Sequence, residues 1–392
     1  MAKKRLTAWI AAFFLLLCLV KPAAAQEFLG NTSAKAAVLM EATTGRILYA
    51  KNAEAKLPMA STTKIMSALL TLEQPNLDEC FVVDSDAIKV EGSSMGLQEG
   101  DQVSLRALAY GMLLPSGNDA ANAAAVKISG TKEKFVAMMN ERAKLLGLHN
   151  THFVTPSGLH DDKHYSTAED MAALTRVALK NPDFLTICSS KNAQLEFGNP
   201  PYKRWLKNSN KMLQSYEGAI GVKTGFTDEA GRCLVSAARR GGITLICVTL
   251  NDPNDWQDTA NLFDYGFTQV TVKQIPETVA GEQKIKVTGG TQKECRVELY
   301  GAATAVVEPA ELTVRYHLER FYYAPIKAGD LVGRVDYLYK GEVVTSQQLM
   351  ASEDVGKQEE SLQKKSGFSG LLHSLIRAFS AIIEFFQSFG QK

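Results

Sequence analysis

The chain has 392 residues, 45% hydrophobic and 22% charged, enough apolar material to bury one sizeable core and a second, smaller one. Lys and Arg total 43 against 42 Asp and Glu, and the resulting net charge of +1 excludes the basic footprint of a nucleic-acid-binding protein. The cysteines are scattered and odd in number after residue 25, so no disulfide framework is expected. Cys233 and Cys247 flank the Arg240-Gly241-Gly242 turn, where a hairpin could bring them face to face, although unpaired buried thiols are the expected state.

Lys3, Lys4 and Arg5 precede an apolar run over about 8–20, followed by Ala23-Ala24-Ala25. The run is shorter than the ~20 apolar residues of a spanning helix, so 1–25 is read as a secretory signal cleaved after Ala25. A hairpin is expected over 35–51. A helix should follow Ser61, because Ile65, Met66, Leu69, Leu70 and Leu72 recur at helical spacing until Pro75. Further helices are expected over 104–114, 119–128, 132–146 and 167–179.

From Gly218 the pattern changes to strands over 219–226, 232–238 and 243–250, with a last helix to Tyr265. Residues 26–270 therefore read as an α/β (α+β) catalytic domain with an antiparallel sheet flanked by helices. Short strands alternate with turns over 271–352, a small β-rich domain, and 353–366 reads as a polar linker. Over 367–392, Leu371, Leu375, Phe379, Ile382, Phe386 and their neighbours fall on one broad apolar helix face. Arg377 and Glu384 sit mid-segment, so this helix is expected to lie in a membrane surface rather than to cross it.

The chemistry-bearing pattern begins with Ser-x-x-Lys, which occurs three times: Ser61…Lys64, Ser129…Lys132 and Ser361…Lys364. Only Ser61 opens an apolar helix after a proline-containing loop, which puts Lys64 one turn on and within reach of the hydroxyl. A serine hydroxyl needs a base, and lysine can serve only if burial or neighbouring cations lower its pKa. Ser116-Gly117-Asn118 follows between two helices, and Lys223-Thr224-Gly225 lies on an expected strand.

Each triplet alone is a weak signal, but their order and settings match a set known from penicillin-binding proteins and class A β-lactamases. The chain resembles the low-molecular-weight penicillin-binding proteins of the serine D-alanyl-D-alanine carboxypeptidase family. The likeness extends through residues 57–64, Ser94-Met95-Gly96-Leu97, 111–121, Pro156-Ser157-Gly158-Leu159, His164-Tyr165-Ser166-Thr167 and 221–231. It implies a penicillin-binding/β-lactamase-like fold, peptidoglycan stem peptides as substrate, β-lactam antibiotics as covalent inhibitors, and no cofactor.

It further implies that Ser61 attacks the carbonyl between two D-alanines with Lys64 as base, and that Ser116 and Asn118 relay protons and orient the amide. Lys223 and Thr224 would bind the terminal carboxylate, Gly225 would let the substrate lie against the strand edge, and the N–H groups of Ser61 and Phe226 would hold the oxyanion. Some members carry an arginine soon after the last core strand to help hold the carboxylate, but residues 250–256 read Leu-Asn-Asp-Pro-Asn-Asp-Trp.

A β-lactamase would need a deacylating base, usually in Glu-x-x-x-Asn, and none occurs between Asn118 and Lys223. His149, His152, His160 and His164 cluster with Asp161 and Asp162, but without a His-Glu-x-x-His helix they read as loop residues, so no metal is expected.

Overall fold

The structure is a computed structural model that describes residues 31–358 and 374–380. The expected signal, and most of the expected linker and terminal helix, lie outside the described residues. The chain divides into two compact units. One takes residues up to Val279 with Ala302–Val314 and Tyr337–Thr345; the other takes Ala280–Gly301, Arg315–Asp336 and residues from Ser346 onward.

The first unit opens with β1 (Ala36–Glu41) and β2 (Ile47–Lys51), then α1 (Lys64–Leu72), β3 (Cys80–Val82) and β4 (Gln102–Ser104). Helices α2 (Leu105–Leu113), α3 (Asn118–Ser129), α4 (Lys132–Leu145) and α5 (Ala168–Ala178) follow, all within two residues of expectation. Their ends obey local chemistry: Ser104, Thr131 and Thr167 cap α2, α4 and α5 through their side chains, and Gly130, at φ +84°, closes α3. Next come α6 (Pro182–Ser189), the hairpin β5 (Asn192–Gly198) and β6 (Pro201–Lys207), α7 (Met212–Ser215), β7 (Ala219–Thr227), β8 (Gly231–Arg240), β9 (Ile243–Leu250) and α8 (Asp255–Gln269). The last helix passes the expected Tyr265 by one turn.

The antiparallel sheet runs β2-β1-β9-β8-β7. All of β1 and β9 is buried because both faces are covered. Val38, Met40, Ile246 and Val248 belong to the core cluster that holds Met171 and Ala172 of α5, the helix packed on β1 and β9, and Ile65, Met66 and Leu69 of α1, while the alternate residues Leu39 and Leu245 cluster with Leu262 and Phe263 of α8. Gly266 permits that approach: a Cβ there would stand 2.6 Å from Leu39 Cδ2. Every residue of α1 is buried, so the helix is a central pillar rather than a half-exposed one. Its polar members are satisfied locally, Ser67 Oγ donating to Pro156 O at 2.5 Å and Thr71 Oγ1 to Ser67 O at 2.7 Å.

A second sheet, β3-β4-β5-β6, was not expected; β5 and β6 bury little beyond Phe197 and Leu206 and so carry no clear apolar period. Cys233 and Cys247 are both buried and free, but they do not face each other: the register sets Cys247 opposite Ser236 and Cys233 opposite Gly225. Cys80, also free, is exposed.

The remaining strands are β10 (Lys273–Gln274), β11 (Gln283–Thr288), β12 (Glu294–Tyr300), β13 (Thr304–Ala305), β14 (Thr313–Leu318), β15 (Tyr322–Tyr323), β16 (Leu331–Tyr339) and β17 (Glu342–Ala351). Six of them form a sheet in the order β14-β16-β17-β12-β11-β15. The ordered β structure outlasts the expected boundary at 352, since Val355 is fully buried and bridges Ile326, and Lys357 bridges Gly290. Residues Ser374–Ser380 are helical and exposed.

Asp119, in the first turn of α3, organises the loop before α2. Its carboxylate accepts from the N–H of Met95 (2.9 Å), Gly96 (3.1 Å) and Leu97 (3.0 Å) and from Ser94 Oγ (2.5 Å). This explains the Ser94-Met95-Gly96-Leu97 stretch as a nest of donors round one buried anion. Asp119→Ala strands those donors and should cost about 3 kcal/mol or more, and Asp119→Asn less, read from denaturation midpoints. A shift below ~1 kcal/mol for the alanine variant would show the nest to be dispensable.

Candidate active site

Ser61 lies in a single turn of 3-10 helix, Ala60–Thr63, and α1 proper begins at Lys64 rather than at Ser61. The cause is local: Thr62 Oγ1 donates to Met59 O (2.6 Å) and Thr63 Oγ1 to Ala60 O (2.8 Å), competing with α-helical bonding. Ala60 takes φ +47°, a strained value for a residue with a Cβ. That kink presents Ser61 while Lys64 enters the core.

Lys64 is completely buried, and its Nζ has three oxygen neighbours: Ser61 Oγ at 2.8 Å, Asn118 Oδ1 at 2.6 Å and Ser157 O at 2.7 Å. Burial first, then the charge of Lys223, hold its pKa well below the ordinary ammonium value, with Asp119 opposing. Two of the three oxygens are carbonyls that only accept. A neutral amine can therefore donate to both and keep its lone pair for the Ser61 hydroxyl proton. Asn118 Nδ2 donates to Glu91 O (2.7 Å), which turns Oδ1 toward Lys64.

Of the other Ser-x-x-Lys pairs, Ser129 Oγ donates to Ala125 O (2.9 Å) and Thr131 O (2.8 Å) as a helix-end residue, and Ser361 lies outside the described residues.

Ser61 opens onto a cleft of about 380 Å³, lined also by Ser116, Ser209, Thr224, Phe226, Arg232 and Trp256. Ser116 reaches it from the turn before α3 at φ +70°. Thr224, Gly225 and Phe226 reach it from β7, the outermost strand of the sheet. The missing side chain at Gly225 also has a packing role. A Cβ there would stand 3.0 Å from Met59 O and 3.1 Å from Ser61 N, so the missing side chain lets β7 pack against the Ala60–Thr63 turn.

Lys223 does not line the cleft. It is 1% exposed, with Nζ donating to Thr224 O at 2.7 Å, and burial pushes its pKa down to about 7. At the cleft surface Thr224 Oγ1 instead pairs with Ser209 Oγ at 2.7 Å.

Three contributors escaped sequence reasoning. The Ser157 carbonyl is backbone and has no side-chain signal, although Pro156-Ser157-Gly158-Leu159 marked the segment. Ser209 sits in a turn with nothing to distinguish it. Arg232 stands opposite Phe226 in the β7–β8 register, and its guanidinium bonds both oxygens of buried Asp255 at 2.9 Å. After the last core strand the chain carries Asp255 and no arginine over residues 250–256, and Asp255 is the partner of Arg232 on the strand before it. Of the clustered histidines, His164 alone is buried.

A family profile for D-alanyl-D-alanine carboxypeptidase matches residues 21–254, and one for the penicillin-binding protein 5 C-terminal domain matches 267–357. The chain is similar to the D-alanyl-D-alanine carboxypeptidase DacF of Bacillus subtilis, 32% identical over 93% of this chain and 96% of that one. To DacC of Escherichia coli it is 31% identical over 92% and 90%. Among solved structures, the D-alanyl-D-alanine carboxypeptidase DacD of Francisella tularensis superposes with TM-score 0.60 at 25% identity, over 87% of this chain and 98% of that one. The Streptomyces K15 DD-transpeptidase does so with TM-score 0.58 at 36% identity, over 61% and 98%. The fold, the two matched regions and the near full-length relatives agree, and the chain belongs to the D-alanyl-D-alanine carboxypeptidase family.

Proposed function

We propose that this protein is a serine D-Ala-D-Ala carboxypeptidase that trims the terminal D-alanine from peptidoglycan stem pentapeptides, with Ser61 as nucleophile and Lys64 as base. The observation that carries the reading is the buried Lys64 amine, 2.8 Å from Ser61 Oγ and flanked by two obligate acceptors. Neutral Lys64 takes the Ser61 proton as Oγ attacks the carbonyl between the D-alanines. The tetrahedral oxyanion is held by the N–H groups of Ser61 and Phe226. On collapse the C–N bond breaks, the departing D-alanine amine receives a proton through Lys64 and Ser116, and the acyl group stays on Ser61. Water then reverses the proton path and releases the shortened peptide.

The terminal carboxylate is held on the Thr224 side of the cleft. Thr224 and Ser209 offer hydroxyls there, and Arg232 and Lys211 bring positive charge. Lys223 adds a cation from beneath, where its charge also lowers the pKa of Lys64. β-Lactams enter the same cleft and acylate Ser61.

The signal at 1–25 would export the chain, placing it in the cell envelope. The exposed Leu375, Ile376 and Phe379 of the described Ser374–Ser380 helix support attachment of 367–392 to the outer face of the cytoplasmic membrane. No helix among the described residues is long and apolar enough to cross a membrane.

Penicillin should add covalently at Ser61. Ser61→Ala should abolish both the adduct and D-alanine release, and Lys64→Arg should lower acylation by roughly 10²–10⁴-fold, because a guanidinium keeps its proton. An adduct at Ser129, or wild-type acylation by Lys64→Arg, would overturn the assignment.

Because Lys223 titrates near pH 7 in the free enzyme, its charge is present below that pH and lost above it. The kcat/KM for a carboxylate-ended peptide should therefore fall as pH rises through this range. A C-terminally amidated analogue should show no such limb, and an identical limb for both would remove Lys223 from carboxylate binding.

Mature protein ending at Gln358 should be soluble and fully active, while full-length protein should leave membranes with detergent but poorly with salt. Sedimentation of the truncated form with membranes would place the anchor elsewhere.

A further inference from the structure

His164 is the one buried histidine of the loop cluster, and nothing in the reaction outlined above uses it. Its surroundings leave a single proton arrangement. Nδ1 accepts from the N–H of Val154 (2.9 Å) and, more weakly, of Thr155 (3.3 Å), so it carries no proton. Nε2 therefore bears the hydrogen and donates it to Thr63 Oγ1 at 2.8 Å, and the Thr63 hydroxyl in turn donates to Ala60 O at 2.8 Å. Ala60 is the strained residue that presents Ser61.

The segment that His164 grips at Val154 and Thr155 continues directly into the groups that hold α1. Pro156 O accepts from Ser67, and Ser157 O accepts from Lys64. Gly158, at φ +85°, lies so close to the nucleophile's turn that a Cβ would fall 2.0 Å from Ala60 O. Two pieces of backbone distant in sequence must thus keep their relative placement, one carrying the nucleophile and the other the acceptor that orients its base. His164 is the side chain that bonds to both.

We propose that His164 is a positioning residue for acylation, which fixes the Ala60–Thr63 turn to the 154–158 segment so that Ser61 Oγ stays in reach of the Lys64 lone pair. The proposal rests on Ser61 and Lys64 being nucleophile and base. Burial keeps the imidazole neutral, with a pKa down to about 4, so the donor to Thr63 and the acceptor for Val154 coexist across the working pH range.

The two bonds can be separated by substitution. Asparagine puts an acceptor near the position of Nδ1 but cannot reach Thr63, whereas glutamine puts an N–H donor near the position of Nε2. Stopped-flow acylation by penicillin, resolved into a binding constant and an acylation rate constant, is measured for wild type, His164→Asn and His164→Gln, together with their melting temperatures. The expected result is a 10–100-fold lower acylation rate constant for the asparagine variant with binding changed less than threefold, and recovery to within about fivefold of wild type by glutamine.

An asparagine variant that acylates within twofold of wild type overturns the proposal. So does a pair of variants whose acylation rates follow their melting temperatures rather than the presence of the Thr63 donor. If wild type itself forms no adduct at Ser61, it is the underlying assignment of nucleophile that fails, and the two failures are told apart in the same experiment.

Discussion

The structure depends on removing one amine from water. A lysine with no solvent exposure must be neutral or fully compensated, and the Lys64 site accommodates the neutral form, with two fixed carbonyl acceptors and one hydroxyl able to donate. Each acceptor is itself immobilised. Asn118 is oriented by the Glu91 carbonyl, and Ser157 belongs to a segment bonded to α1 at Ser67 and to His164 through Val154. The Lys64 amine is therefore oriented by the same contacts that bury it.

Charge around the site is arranged in tiers. Lys223 lies beneath the β7 edge and repels a proton from Lys64, while Asp119, tied up in its nest of N–H donors, partly opposes that effect. Burial and the charge of Lys223 thus act in the same direction, and both favour the neutral amine at Lys64. At the cleft surface the Arg232 guanidinium is locked to Asp255, which orients it while leaving it 43% exposed at the cleft wall. The arrangement suits a substrate whose anionic end stops at the cleft wall and whose scissile carbonyl lies over Ser61.

All residues lining the Ser61 cleft come from the first unit, between the helical layer and the open edge of the sheet. An edge strand is a risk in a free-standing sheet, but here β7 is used: one side pairs with β8, and its backbone abuts the nucleophile's turn at Gly225. The six-stranded sheet supplies none of those residues, and isolated bridges at Val355 and Lys357 follow its last strand.

The sequence by itself singled out the residues proposed as reactive and most elements near them. Ser61, Lys64, Ser116, Asn118 and Thr224 are side chains whose identity, order and setting on helix start, turn and strand carry the proposed chemistry, and helices α2 to α5 announced their limits through apolar spacing and capping residues. Tertiary structure decided what depends on approach between distant segments. It made the Ser157 backbone carbonyl an acceptor for Lys64, moved Lys223 from the cleft to the layer beneath it, and gave Gly225 its purpose in the packing of β7 on the nucleophile's turn. It also brought Arg232 to the cleft from β8, because register across a strand pair, unlike spacing along a chain, is set only when the sheet closes.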